Sequence, residues 1–187
     1  SLYPFKMLGC FGDGGIVTTN NKTISQKLVL YRDHGQDRPT GRIMMYGFNS
    51  RLDNVQAAIL NAKFKHFKNW IARRRAVAAL YRKHLRTISQ IQIPHYNDPR
   101  FFDVYQNYCV RAQKRDQLKT YLSKNGIDTL ISWPKPMHRH TPLKLQQFKL
   151  PETEKLCREI ISLPMNTEIT DDEVMFVGKT IQKFYKM

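Results

Sequence analysis

The chain has 187 residues, enough for one domain or for one domain and part of another. Hydrophobic residues make up 41% and aromatics 11%, which excludes a disordered chain, and no apolar run is long enough to span a bilayer. The charge is unusual: 31 Lys and Arg against 15 Asp and Glu, a net of +16, which points to polyanionic partners such as nucleic acid, a membrane surface or phosphorylated small molecules.

The basic residues are spread from Lys6 to Lys186, with one tight run at Arg73-Arg74-Arg75 and no nucleic-acid-binding signature beside it. Neither nucleic acid nor a membrane is therefore the expected partner. Cys10, Cys109 and Cys157 are odd in number and widely spaced, which argues against a disulfide framework or a metal cluster and fits the cytoplasm. The opening SLYPFKMLGC lacks the basic start and long apolar stretch of a secretory signal, and its first residue, Ser1, is what a fragment or processed product would show.

In chain order, a glycine-rich stretch at 9–15 leads to Ile16-Val17-Thr18-Thr19, which reads as a short strand ended at Asn20-Asn21. Residues 22–32 place Ile24, Leu28, Val29 and Tyr31 at helical spacing, with Thr23 or Ser25 as caps. Residues 33–47 read as an exposed loop. From about Leu52 to Leu85 there is no Pro or Gly, and the apolar spacing predicts one long helix. Asn49 or Ser50 is its expected cap, and a kink or break is expected near 67–71. Beyond it, 104–112 predicts a strand, 115–125 a helix stopped by Gly126, and 127–133 a second strand. The loop WPKPMH is followed by a helix over 152–163 and another over 171–185, where Thr170 and Glu173 are spaced as a capping box. Alternating strands and helices indicate an α/β or α+β unit.

Chemistry concentrates at Lys6. It follows Tyr3-Pro4-Phe5 and precedes Leu8-Gly9 and Gly12-Asp13-Gly14-Gly15, surroundings that could hold a nucleophilic lysine in a turn. The segment alone reads rather as a solvated loop lysine. Five segments together are more specific: SLYPFKMLGCFGDGGIVTTN, RDHGQ, YGFNSRLDNVQAAIL, WPKPMH and LPETEKLCREIISLPM. In this order they resemble the carboxy-terminal half of the DegT/DnrJ/EryC1/StrS family of sugar aminotransferases.

The resemblance implies an aspartate-aminotransferase-like α/β fold. Residues 1–50 would end the large cofactor domain, 51–89 form a long connecting helix, and 90–187 form the small α/β domain. It implies pyridoxal phosphate as cofactor, held covalently by Lys6, whose freed amine would carry the proton between substrate carbon and cofactor. Ser1 and Asn49 match residues that bind the cofactor phosphate, Asn49 in the neighbouring subunit, so a homodimer is expected. His138 lies in a segment resembling the substrate-lining one, although Ser132-Trp133-Pro134 stands where the family often has His-Tyr-Pro. The implied reaction moves an amino group from glutamate to a nucleotide-linked keto-sugar, for lipopolysaccharide or another glycan. The aromatic over the pyridine ring and the aspartate at its nitrogen belong, in the family, to the segment before the lysine. The alternatives are an inactive remnant that at most dimerises and, further off, a basic nucleic-acid-binding module.

Overall fold

The computed structural model describes residues 1–96 and 98–186. The chain forms two compact units, Ser1–Lys68 and Asn69–Met187.

The first unit opens with a loop closed on itself: the Leu2 amide donates to the Gly14 carbonyl at 2.8 Å, and the Cys10 amide to the Leu2 carbonyl at 2.8 Å. The strand expected at 16–19 does not form. β-Branched residues favour an extended chain, but only a ladder partner makes a strand, and none stands beside it among the described residues, where Ile16 and Val17 are exposed. Helix α1 (Lys22–Tyr31) is capped by Asn21, not by Thr23 or Ser25: the Asn21 side chain accepts from the Ile24 amide at 3.1 Å. An oxygen three residues ahead of that amide has the reach, and one inside the first turn does not.

The expected loop at 33–47 contains a short hairpin. Strands β1 (Gln36–Asp37) and β2 (Arg42–Ile43) pair antiparallel, Gln36 opposite Ile43, and Gly41 turns the chain at φ +71. At the neck of this hairpin the backbones of Gly35 and Gly47 touch, so that a Cβ on either would overlap the other arm. The long helix is two helices, α2 (Asn54–Phe64) and α3 (Phe67–Leu85), broken just ahead of the expected place. Asp53 stands at the start of α2. Asn49 and Ser50 lie too far ahead of Asn54 to cap it, and their backbone pairs instead with the chain at Arg32–Asp33.

In the second unit, the later turns of α3 bury Val77, Ala78, Tyr81 and Leu85. They pack under an antiparallel sheet in the order β3 (Ile91–Gln92), β4 (Tyr108–Ala112), β5 (Ile160–Leu163). Strand β4 alternates, burying Tyr108, Val110 and Ala112, as half-covered antiparallel strands do. The helix expected over 152–163 ends early: α5 (Pro151–Glu159) stops where the β-branched Ile160-Ile161 begins. Pairing with β4 places Ile161 opposite Val110 and Leu163 opposite Tyr108, and that burial overrides helix propensity. The strand expected at 127–133 shrinks to one bridge, Leu130 with Ser162, at 2.8 and 3.1 Å. Pro134 and Pro136 follow, and prolines cannot donate to a ladder.

Two helix ends behave as their residues predict. Helix α4 (Arg115–Lys124) ends at Gly126, φ +74, with the Gly126 amide donating to Ser123 and the Ile127 amide to Leu122, each at 3.0 Å. Helix α6 (Asp171–Lys186) starts with a reciprocal cap: the Thr170 amide donates to Glu173 at 2.8 Å, and the Glu173 amide to the Thr170 hydroxyl at 3.2 Å.

The arginine triplet is engaged inside the chain. Arg73 pairs with Asp171 at 2.7 Å, Arg74 donates to the Tyr105 and Gln106 carbonyls at 2.9 and 3.1 Å, and Arg75 donates to the Asp103 carbonyl at 2.7 Å. Among the described residues, no helix is long and apolar enough to cross a membrane.

Replacing Thr170 by Ala should cost about 0.5–2 kcal/mol in urea unfolding, the usual range for a lost cap. In hydrogen exchange of the isolated chain, amides of β4, β5 and α6 should outlast those of α1 and the 36–43 hairpin. Helix α1 buries no residue, whereas α6 buries Val174, Val177 and Ile181.

Candidate cofactor site

Lys6 sits in a tight turn. Its amide donates to the Tyr3 carbonyl at 2.8 Å, with Pro4 at the position where a preset φ favours such a turn. Gly9 lies against this turn, and a Cβ there would stand 2.5 Å from the Pro4 carbonyl oxygen and overlap that of Tyr3. Cys10 is fully buried, its thiol 3.0 Å from the Leu2 carbonyl and 3.1 Å from that of Gly12. Helix α2 clamps the far side: Gln56 accepts from the Phe11 amide at 2.8 Å, and the Lys63 ammonium donates to the Gly9 carbonyl. The lysine side chain is exposed, and no ion pair involves its amine among the described residues. An accessible primary amine on a braced turn, free of a carboxylate partner, is placed to condense with an aldehyde.

Ser1 belongs to the same loop; its hydroxyl accepts from the Tyr3 amide at 3.4 Å, and the residue is exposed. Asp13 is exposed on the glycine-rich return of that loop. Asn49 stands elsewhere in the first unit, exposed, in an isolated antiparallel bridge with Asp33. No hydrogen bond among the described residues joins Lys6, Ser1 and Asn49. Arg51 makes an ion pair with Asp33 at 3.4 Å, and Arg38 binds the other oxygen of the same carboxylate. The Arg38 bond holds the Asp33 carboxyl below its ordinary range, with the charges of Arg38 and Arg51 adding to it.

His138 belongs to the second unit. The residue is 3% exposed, and Nε2 lies 3.0 Å from Glu154 Oε1, which also accepts from Arg139 at 2.7 Å. The bond from His138, and then that from Arg139, hold the Glu154 carboxyl below its ordinary range. A cleft of about 190 Å3 beside them is lined by Lys135, Arg139 and Arg158 together with two prolines, Glu154 and Cys157. A larger cleft of about 580 Å3, between the start of α4 and α5, shares Arg158 with it but is lined by none of Ser1, Lys6, Asn49 and His138.

Sequence reading passed over the residues that support these groups: Cys10, Gln56 and Lys63 around the lysine turn, Asp33 at the hairpin neck, Glu154 under His138. Only Gln56 and Lys63 had a legible signal, their seven-residue spacing along one face of α2.

A braced lysine turn ahead of two helices, with a three-stranded antiparallel sheet backed by helices behind them, is the class of architecture found in the later part of aspartate-aminotransferase-like enzymes. The DegT/DnrJ/EryC1/StrS aminotransferase family model matches residues 1–182, and the chain belongs to this family. It is 37% identical over 191 residues to a "Pleiotropic regulatory protein" of Geobacillus stearothermophilus, covering 100% of this chain and 51% of the relative. To the dTDP-3-amino-3,4,6-trideoxy-alpha-D-glucose transaminase of Streptomyces venezuelae it is 33% identical, covering 98% and 49%. The crystal structure of S. venezuelae DesV superposes with a TM-score of 0.92 at 33% identity, covering 100% and 50%. That of NtdA from Bacillus subtilis, with bound cofactor PMP, superposes at 0.89 and 25% identity, covering 100% and 45%. The chain thus has the aspartate-aminotransferase-like fold and spans about half the length of the curated relatives it matches.

Replacing Gly9 by Ala should cost about 1–3 kcal/mol by overpacking and remove exchange protection from the Leu2 and Cys10 amides. The Glu154 bonds predict a pH signature. A carboxyl lowered in the folded state contributes stability that is full above its unfolded value and fades as pH falls through the folded one. A Glu154→Gln variant should therefore be less stable than wild type at neutral pH. Thermal unfolding across a pH series should show the gap closing as pH drops below the ordinary 4.5.

Proposed function

We propose that the chain is the lysine-bearing half of a pyridoxal-phosphate-dependent aminotransferase that moves an amino group from glutamate to a nucleotide-linked keto-sugar. The observation that carries this reading is the accessible Lys6 amine on its braced turn, within a chain of this family. When bound, the cofactor supplies the electron sink that a proton transfer at carbon requires. The donor set fits it: an amine for the aldehyde, with the Ser1 hydroxyl and the Asn49 amide for the phosphate. Lys6 then serves twice, first as covalent anchor and afterwards as the base and acid that moves the proton.

The functional unit in this reading is a homodimer, with Asn49 reaching the phosphate held by a second copy. Its support is the apolar surface around that residue: Tyr46 is 98% exposed, and Ile43, Met44 and Phe48 are exposed beside it, more than a free surface loop ordinarily presents. Residues 1–50 serve as the end of the large cofactor domain, 51–89 as the connection and 90–187 as the small domain. The segment 133–139 lines the sugar nucleotide. Lys135 meets its diphosphate, and His138 acts from beneath, holding Glu154 and Arg139 in place. The cations beside the 190 Å3 cleft, Lys135, Arg139 and Arg158, suit an anionic substrate. The product is an amino sugar for lipopolysaccharide or a related glycan, made in the cytoplasm.

A second reading, an inactive remnant, draws on the half-length match to relatives. The DNA ahead of the Ser1 codon separates the two: an open frame carrying the large-domain half favours the enzyme, and a stop or frameshift favours the remnant. The chemical test uses the protein expressed with any in-frame sequence preceding Ser1. Borohydride reduction in the presence of pyridoxal phosphate, followed by peptide mapping, should label Lys6, and Lys6→Ala should lower turnover by about 10²–10⁴-fold or more. A label on another residue, or none, overturns the reading.

A further inference from the structure

Asp33 is a carboxylate with 6% of its surface exposed, in a unit that buries little else, and the chemistry proposed above does not use it. Its position explains its burial. The chain leaves through 33–35, turns in the hairpin, and returns through 47–51. The two arms meet at the neck, where the His34 amide donates to Phe48 at 2.9 Å and the Ser50 amide to Arg32 at 2.9 Å. These two bonds flank Asp33 and Asn49 and leave them directly opposite each other as a non-hydrogen-bonded pair. That is the antiparallel arrangement that brings two side chains closest, on one face of the ribbon.

The Asp33 carboxylate binds Arg38, in the hairpin turn just past β1, with one oxygen, and Arg51, two residues past Asn49 in the returning arm, with the other. One buried charge thus ties both arms to the neck. The Gly35–Gly47 contact keeps the arms too close for any side chain to separate them. Asn49 itself has no side-chain hydrogen bond among the described residues; what the clamp can place is the backbone of the neck that carries it.

We propose that Asp33 is the positioning residue for Asn49, clamping the hairpin neck through Arg38 and Arg51 so that the Asn49 amide is presented to a phosphate bound on a second copy of the chain. The inference rests on the dimeric reading above and adds to it a residue that acts in trans without touching cofactor or substrate.

Two mixed dimers test it, made from differently tagged copies expressed with any in-frame sequence preceding Ser1. One pairs an Asp33→Asn copy with a Lys6→Ala copy. The other pairs a wild-type copy with a copy carrying both substitutions. Each dimer has a single Lys6, facing an Asn49 whose own Asp33 is intact in the first dimer and missing in the second. Pyridoxal phosphate is titrated, trapped with borohydride, and scored only on the Lys6 peptide. The first dimer should be labelled at the wild-type midpoint, and the second at about tenfold or more higher concentration, as expected for a displaced charge-assisted hydrogen bond. Equal midpoints, or the reverse order, overturn the proposal, because general damage would follow the chain that carries the substitution. A wild-type protein that stays monomeric overturns it too. If Asp33→Asn yields no folded protein, Arg51→Gln goes through the same pairings with the same expected order. Failure of the wild-type dimer to label Lys6 counts against the lysine assignment instead.

Discussion

Leu2 decides where the Lys6 turn stands. Its amide and carbonyl close the loop onto Gly14 and Cys10, and the Cys10 thiol lies against the same carbonyl. Between these ties only seven residues remain, Tyr3 to Gly9. They are held by the Pro4 turn at one end and by the backbone contact of Gly9 at the other. Helix α2 then fixes the loop from outside through Gln56 and Lys63. A nucleophile must be held within a fraction of an ångström to react efficiently, and the order of constraints here runs from backbone to side chain, with the lysine last.

The two units solve different physical problems. The second buries a continuous core between its sheet and α3, α4 and α6, with Tyr81 stacked on Tyr108 at 5.0 Å and its hydroxyl donating to Pro164 at 2.8 Å. The first buries chiefly Leu2, Cys10 and Leu60, and leaves Ile16, Val17, Met44, Tyr46 and Val55 in water. It is shaped by backbone closure, glycine contacts and ion pairs, which specify geometry but remove little apolar surface from solvent.

This division also explains what could be read from sequence. Elements set by local rules were legible: the Thr170–Glu173 box, the Gly126 stop and the buried stripe of α3 each follow from spacing over a few residues. Elements set by pairing were not. Ile160–Leu163 has the same composition whether it continues α5 or joins β4, and only the distant strand decides. Ile16–Thr19 shows the converse, strand-forming residues without a ladder. At the candidate site, the lysine turn was legible because proline and glycine carry their own conformational rules. The clamp at Asp33 was not, because its partners Arg38, Asn49 and Arg51 are joined by a hairpin whose register is set by close backbone contact.

Net charge by itself does not say which cations the fold has already engaged. The arginine run that stands out in the sequence serves folding: Arg73 holds the start of α6, while Arg74 and Arg75 satisfy carbonyls of the irregular segment before β4. Arg38 and Arg51 neutralise Asp33, and Arg111 pairs with Glu159 at 2.7 Å. Arginine suits these roles because a planar fork can satisfy a carbonyl and a carboxylate at once. Among the described cations that no acid neutralises are Lys135 and Arg158 on the rim of the 190 Å3 cleft, where Arg139 is committed to Glu154. Cations that brace a fold are fixed by their partners, whereas those available to a diphosphate are the ones the fold leaves without acids. It is that remainder, rather than the total of +16, that is open to an anion.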